Sequence, residues 1–250
     1  MKKASDRILK RSVLSVLLAA ALYTPQVMAF TDEVNDGVTV KDETVENGTQ
    51  YVQNNGKTEN IAVGEKGTQY VYFGGETENT VIGKGGKQYI EGTATNTTIG
   101  GGGMQIVYAG GTATGTTIEK DGLMQSAGED SGTTVKGGGV YELGRVATGD
   151  PDSPYGYYGL SSALDLKVEA GGRAEVYAGT LTGAKVSGAN ASLTLMTPQT
   201  ETADGDLTLS LTGQVSVTEG GRLVSQRGAD MSGAELTLSS QGGLILKGDT

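Results

Sequence analysis

Carboxylates, hydroxyls and a few lysines and arginines are all the side-chain chemistry that this chain of 250 residues offers, because it contains no histidine and no cysteine. That absence excludes Ser-His-Asp and Cys-His nucleophile systems, imidazole and thiolate metal sites, and disulfides. The acidic groups closest in sequence are Asp150 with Asp152, and Asp204 with Asp206 beside Glu201. Oxygen ligands at such spacing could hold calcium, although solvated turns carry the same residues. Gly56-Lys57-Thr58 matches the end of a phosphate-binding loop, but Tyr51 stands where that loop needs its first glycine. The run Gly100 to Gly103 fails the dinucleotide fingerprint at Gln105. A polysaccharide-cleaving enzyme would need carboxylates converging with basic groups. Beyond the first thirty residues the arginines are Arg145, Arg173, Arg222 and Arg227, and they are dispersed. Thr93-Ala-Thr95 and Thr112-Ala-Thr114 are similar to the flat threonine arrays that bind ice, but two copies do not make a face. No catalytic, cofactor-binding or metal residue is therefore assigned, no cofactor is expected, and the chain is expected not to be an enzyme.

Whatever these groups do, the elements that position them begin after residue 29. Lys2, Lys3, Arg7, Lys10 and Arg11 precede an uncharged apolar stretch from Val13 to Leu22, and Val27-Met28-Ala29 supplies a cleavage site. About ten apolar residues are too few to span a bilayer as a helix, which takes roughly 20. Residues 1–29 therefore read as a cleaved signal peptide. The mature chain keeps 14 basic and 28 acidic groups, a net charge of −14. Such a surface repels phosphate backbones, so no nucleic-acid partner is expected.

The mature chain is dominated by an internal repeat. Marker glycines at 48, 67, 86, 103, 122, 139, 172, 221 and 243 open short strand-like runs, among them Gly48-Thr-Gln-Tyr-Val and Gly67-Thr-Gln-Tyr-Val. Their spacing is 19, 19, 17, 19, 17, 33, 49 and 22 residues. The interval of 33 is read as one period with an insertion, and that of 49 as two long periods. An aliphatic residue stands four before the marker at Val63, Ile82, Ile99, Ile118, Val135, Val168 and Val217. Helical repeats need 33 or more residues and better helix formers, whereas Gly, Thr, Val and Tyr in a period of about 19 make short strands between turns. The expected fold is an all-β, right-handed parallel β-helix whose coils stack on one another.

Alternation along each strand assigns its faces. Val52, Val71, Ile90 and Val107 should point inward, followed by Ser126, Leu143 and Val176. Gln50, Gln69, Gln88 and Gln105 lie two residues earlier on the same face, in a column continued by Met124, Tyr141, Ala174, Leu223 and Ile245. Buried amides stacked at about 4.8 Å can satisfy one another. Tyr51, Tyr70, Tyr89 and Ile106 then face outward. The expected organisation is a cap at 30–43, regular coils at 44–146, an inserted Pro- and Tyr-rich loop at 147–164 that packs on the wall or contacts a ligand, and less regular coils at 165–250 that continue further or are truncated.

The segments Gly103-Met-Gln-Ile-Val and Gly110-Gly-Thr-Ala-Thr-Gly-Thr-Thr-Ile118, behind a signal peptide, resemble the passenger of the self-associating, diffuse-adherence (AIDA-type) autotransporter adhesins of Gram-negative bacteria. The resemblance is clear over 44–146 and weaker to Thr250. It implies a β-helix displayed at the cell surface or outer membrane by a C-terminal outer-membrane β-barrel translocator, expected as a partner but not visible in this chain. It also implies cell-cell aggregation, host adherence and biofilm formation, through homotypic contact or host surface glycans and proteins; some relatives carry sugars on Ser and Thr. A truncated product would be periplasmic or secreted. An inert stalk and a polysaccharide-processing β-helix enzyme are the alternatives. Terminal sequencing of exported material should find Phe30 first; an outer-membrane species that begins at Met1 would contradict the cleavage.

Overall fold

Runs such as Thr68-Gln-Tyr-Val71 alternate inward and outward side chains and are too short to fold alone, so each must pair with its copies in neighbouring periods. The computed structural model describes residues 30–147, 155–158, 160–197 and 207–248. The signal peptide and the candidate calcium ligands Asp150, Asp152, Asp204 and Asp206 lie outside the described residues. Among those described, the chain is an all-β parallel solenoid. One sheet of 11 strands runs from Phe30–Val34 to Gly243–Leu246, and a second of 16 strands forms the remaining walls. In the N-terminal half each coil lays down three strands, for example Thr68–Val71, Glu76–Glu78 and Val81–Ile82. Later the second and third merge into single strands such as Gly179–Ser187 and Leu209–Thr218. Equivalent positions pair: Tyr51 opposite Tyr70, Tyr70 opposite Tyr89, Thr58 opposite Thr77.

Stacking, rather than backbone conformation, explains the marker glycine. A Cβ on Gly67 would stand 1.9 Å from the carbonyl oxygen of Val45 in the preceding coil, one on Gly86 2.2 Å from that of Val63, and one on Gly122 2.5 Å from that of Ile99. Backbone conformation is the constraint one residue earlier. Asn47, Lys66, Gly85, Gly102, Asp121, Gly138, Gly171, Asn190, Gly220 and Gln241 all have left-handed φ, the region that Gly, Asn and Asp enter most easily. A second left-handed corner recurs at Asp42, Asn60, Asn79 and Asn96 and then at Gly115, Gly132, Asp165, Gly183 and Gly213. There the side chains form an outer ladder, with Asn60 Nδ2 donating to Asp42 Oδ1 at 2.9 Å and Asn79 Nδ2 to Asn60 Oδ1 at 3.2 Å. A third corner sets the period. Residues 72–75 join Val71 to Glu76, but only Glu91-Gly92 joins Ile90 to Thr93 and only Ala127-Gly128 joins Ser126 to Glu129, which makes those two coils two residues shorter.

Several boundaries move. Phe30–Val34 pairs in register with Gly48–Val52, so residues 30–43, expected as a cap, form a coil. Arg173 pairs with Ser192 and Ser192 with Arg222, which divides the 49-residue interval into an ordinary period of 19 and a long one of 30, with Ala191 in the marker position. Arg222 pairs with Gly243 and Leu223 with Leu244, so the last marker is Gly242, and Leu244 rather than Ile245 continues the inward column. A Cβ on Gly242 would lie 1.9 Å from the Val217 carbonyl oxygen, the same steric exclusion as at Gly67. The insertion leaves the solenoid after Gly144 and rejoins it at Ser162, which pairs with Glu129.

The interior has an aliphatic side and a polar side. Val52, Val71, Ile90, Val107 and Leu143 are fully buried, as are Val63, Ile82, Ile99, Ile118 and Val135. Two residues before the first of these columns, on the same strands, the four glutamines are also fully buried. Gln69, Gln88 and Gln105 each donate Nε2 to the amide oxygen of the preceding glutamine at 2.7 Å. The first amide, Gln50, donates to Glu43 Oε2 at 2.7 Å and Asp32 Oδ2 at 3.3 Å, so two carboxylates terminate the donor end. Burial, then Asp32, raises the Glu43 carboxyl above its usual range against the lowering effect of the Gln50 hydrogen bond. Thr116 Oγ1 donates to Gln105 at 3.4 Å, and beyond it the column becomes Met124, Tyr141, Ala174 and Leu193.

The polar side ends at an acid. Asp130 occupies the inward position held by Ala113 before it and Ala163 after it, and it is 5% exposed. Thr133 Oγ1 donates to Asp130 Oδ1 at 2.7 Å. The other oxygen and the buried Tyr141 hydroxyl influence one another without meeting hydrogen-bond geometry, and Ser126 Oγ has no hydrogen-bonding partner. Burial raises the Asp130 carboxyl to about 6, against the lowering influence of Tyr141, Thr133 and the Ser131 backbone.

Two outcomes follow from this packing. Gly67→Ala drives a methyl into a backbone carbonyl and should lower the unfolding midpoint by the equivalent of about 3 kcal/mol or more. Gly83→Ala, whose Cβ would find its nearest neighbour at 3.9 Å, should be tolerated. Equal denaturant midpoints for the two variants would refute the steric account. Because the folded Asp130 value of about 6 lies above the ordinary 3.8, the native state holds this proton more tightly than the unfolded chain. Stability should therefore rise as pH falls through 6, the gain being complete below 3.8, with a ceiling of about 3 kcal/mol. Asp130→Asn should be more stable than the parent at pH 7.5 and show a flatter profile between pH 7.5 and 5 in urea unfolding.

Candidate functional site

With the interior closed by aliphatic and amide columns, surface chemistry falls to the outward positions of each strand and to the corners. On the 11-stranded sheet the outward column runs Tyr51, Tyr70, Tyr89, Ile106, Gln125, Glu142 and Glu175. The first three rings stack face to face, with centroids 5.5 and 4.9 Å apart and planes within 14°. Two residues further along, at the corner, a second aromatic position is filled by Tyr72 and Tyr108, with Glu91 at the same place in the coil between them. Tyr72 stacks 6.2 Å from Tyr51 and 6.1 Å from Tyr70, and Tyr108 lies 6.1 Å from Tyr89. Partial burial first, then neighbouring phenols and the Glu91 carboxylate, raise the Tyr72 and Tyr108 hydroxyls above the ordinary phenol range. Tyr70, Val71, Tyr72, Tyr89, Glu91 and Tyr108 line a notch of about 260 Å³.

The aromatic wall ends where the insertion folds back. Arg145–Ala147 pairs antiparallel with Tyr155–Tyr157. Ile106, expected to face outward and doing so, is nevertheless 3% exposed, because it packs with Ala127 and Val146 under this hairpin. A hydrogen-bonded cluster anchors the hairpin. Gln125 Nε2 donates to Glu142 Oε2 at 2.7 Å, the Ala147 amide donates to Gln125 Oε1 at 3.0 Å, and Arg145 Nη2 pairs with Glu142 Oε1 at 2.5 Å. The Arg145 guanidinium also lies 3.9 Å from the centre of the Tyr177 ring. Burial, then the Glu175 carboxylate that accepts its hydrogen bond at 2.6 Å, pushes the Tyr177 phenol well up. Tyr157 meets Tyr177 at 6.2 Å, so a described tyrosine of the insertion packs on the wall.

The second sheet presents a polar wall. Thr93 pairs with Thr112, Thr95 with Thr114, and Thr98 with Thr117, which pairs with Thr134. Ser131 Oγ donates to Thr114 Oγ1 at 3.3 Å. The N-terminal coils of the same wall carry ion pairs instead, Lys41 with Glu59 at 2.5 Å and Lys57 with both Glu59 and Glu78 at 3.7 Å. The glycine-lysine-threonine segment is dismantled by the fold, since Thr58 is buried and hydrogen-bonds Thr77 at 2.8 Å while Lys57 faces out. Arg173 and Arg222 sit on separate strands of the solenoid and Arg145 on the inserted hairpin. Among the described residues no group of three or more Asp or Glu is placed to hold a metal. The corner column of Tyr72, Glu91, Tyr108 and Tyr177 and the Gln125–Glu142–Arg145 cluster were missed in the sequence. A regular position five residues after each marker glycine was the available signal for the first. The second needed knowledge of where the hairpin folds.

Similarity to known proteins follows the repeat. A family model described as "Adhesin of bacterial autotransporter system, probable stalk" matches residues 90–139. The protein named "Probable autotransporter YpjA" of Escherichia coli K12 is 44% identical over 90 residues, which are 36% of this chain and 6% of that protein. Protein YdhQ of the same strain is 33% identical over 96 residues, 37% of this chain and 23% of its own length. The chain thus corresponds to a small part of these relatives. The crystal structure of a TibC-catalyzed hyper-glycosylated TibA fragment superposes with a TM-score of 0.57 at 22% identity, over 87% of this chain and 92% of that fragment, a likeness of fold. Over residues 90–139 the repeat is thus similar to the AIDA stalk repeats of bacterial autotransporter adhesins.

Proposed function

We propose that this chain is exported through its signal peptide and works, without catalysis, as the surface-displayed stalk of an adhesin whose threonine wall pairs with the same wall on neighbouring cells. The carrying observation is the in-register array Thr93/Thr112 and Thr95/Thr114, continued past the Asn96 corner by Thr98/Thr117/Thr134, all in the second sheet. Hydroxyls repeating at about 4.8 Å suit a second solenoid of the same pitch, and many weak hydrogen bonds add up when two walls engage together. Display needs an outer-membrane translocator, in keeping with the relative named an autotransporter. The same outward hydroxyls are the positions where sugars would be attached if this chain is modified as the TibA fragment is. Aggregation, biofilm formation and adherence are the activities such a wall would support.

The net charge of −14 sets the salt dependence. Acidic repulsion is screened within about 8 Å at physiological salt and reaches further when salt is removed. Cells displaying the full protein should settle faster than cells lacking it, and the difference should shrink at low ionic strength. The double substitution Thr95→Glu and Thr114→Glu should slow settling at every salt. Settling unchanged by that pair would refute pairing through this wall, and settling that strengthens as salt is removed would point to an interface held by ion pairs.

A further inference from the structure

The corner notch on the opposite wall has a shape that the stack does not require. Tyr72, Glu91 and Tyr108 occupy the same position in three successive coils, as the hydrogen bonds from their amides to Val52, Val71 and Ile90 show. The middle coil is the short one, turning through Glu91-Gly92, where its neighbours use four residues. This shortening draws the middle corner inward and leaves Tyr72 and Tyr108 as the two jaws of a recess, with Tyr70, Tyr89 and Val71 behind. Each stacked pair among Tyr51, Tyr70, Tyr72, Tyr89 and Tyr108 is within 14° of parallel, so the notch is walled by nearly parallel rings. Glu91 is exposed, and among the described residues no cation pairs with it.

The lining of the notch selects the guest. A saturated ring can lay its C–H groups on the faces of Tyr72 and Tyr108, which belong to a stack of near-parallel rings. The Glu91 carboxylate and the two phenols then accept and donate hydrogen bonds around the ring's edge. We propose that this notch binds a single neutral pyranose residue of a carbohydrate, held between Tyr72 and Tyr108 and oriented by Glu91, and that it rejects acidic sugars. The site extends the adhesive reading from wall pairing to a carbohydrate ligand, and it stands apart from the threonine wall in its residues.

The test is an oligosaccharide array that holds neutral hexose, N-acetylhexosamine and uronic-acid tetrasaccharides, probed with the mature chain from Phe30 to Thr250. Positive spots are then titrated by tyrosine emission, since the chain has no tryptophan. Binding to at least one neutral tetrasaccharide and none to the uronic series is expected. Tyr72→Ala and Tyr108→Ala should each weaken it about tenfold, the scale of one lost ring contact. Glu91→Arg changes an exposed side chain, leaves the stack in place, and should abolish binding by filling the notch; Tyr51→Ala, in the stack but outside the notch, should leave it unchanged. No neutral ligand on the array, or binding that survives Tyr108→Ala and Glu91→Arg, overturns the proposal. Unchanged settling in the wall variants with sugar binding intact would refute the wall reading alone.

Discussion

Everything in this solenoid depends on the approach of one coil's backbone to the carbonyl oxygens of the coil before it. Parallel pairing fixes that distance at about 4.8 Å. Where the chain turns into the first strand, the preceding coil's carbonyl points directly at the position of a side chain and excludes a Cβ at Gly67 and Gly86, with Ala191 the exception in one coil. Once that contact is made in every coil, equivalent residues lie directly above one another. Columns then replace residues as the units of structure: valine on valine, glutamine on glutamine, tyrosine on tyrosine.

Columns make polar groups affordable inside. A single buried glutamine would leave donors and acceptors unpaired, whereas four in register pass the problem along until it reaches Asp32 and Glu43 at one end and Thr116 at the other. The same logic explains why Asp130 is a weak point. It interrupts a column of small residues, has no like neighbour above or below, and leaves an oxygen unpaired. Since each coil contacts only its neighbours, such a defect is local and does not require the remaining coils to change.

Outside, register converts sequence repeats into flat chemical surfaces. The threonine wall and the aromatic wall arise from the same periodicity on different faces, and neither contains a cluster of catalytic groups. Departures from the period create the features that are not flat. A corner two residues shorter opens the notch at Glu91, and the insertion in place of Ala127-Gly128 brings Arg145–Ala147 and Tyr155–Tyr157 together as the hairpin that covers Ile106.

The sequence by itself determined the period, the inward and outward alternation and the glutamine column, because local residue types repeat at a fixed offset and parallel stacking adds no other freedom. It also carried the family resemblance, in Gly103-Met-Gln-Ile-Val and its neighbours. Only the tertiary structure decided what happens where the repeat is imperfect. Ala191 standing for a glycine hid one coil inside the 49-residue interval, and adjacent Gly242 and Gly243 shifted the last one, since two glycines look alike until the Val217 carbonyl selects between them. The notch between Tyr72 and Tyr108 and the cluster around Glu142 were likewise beyond the sequence. They depend on which corner loses two residues and on where an inserted hairpin lands, and both are set by packing between segments rather than by any local pattern.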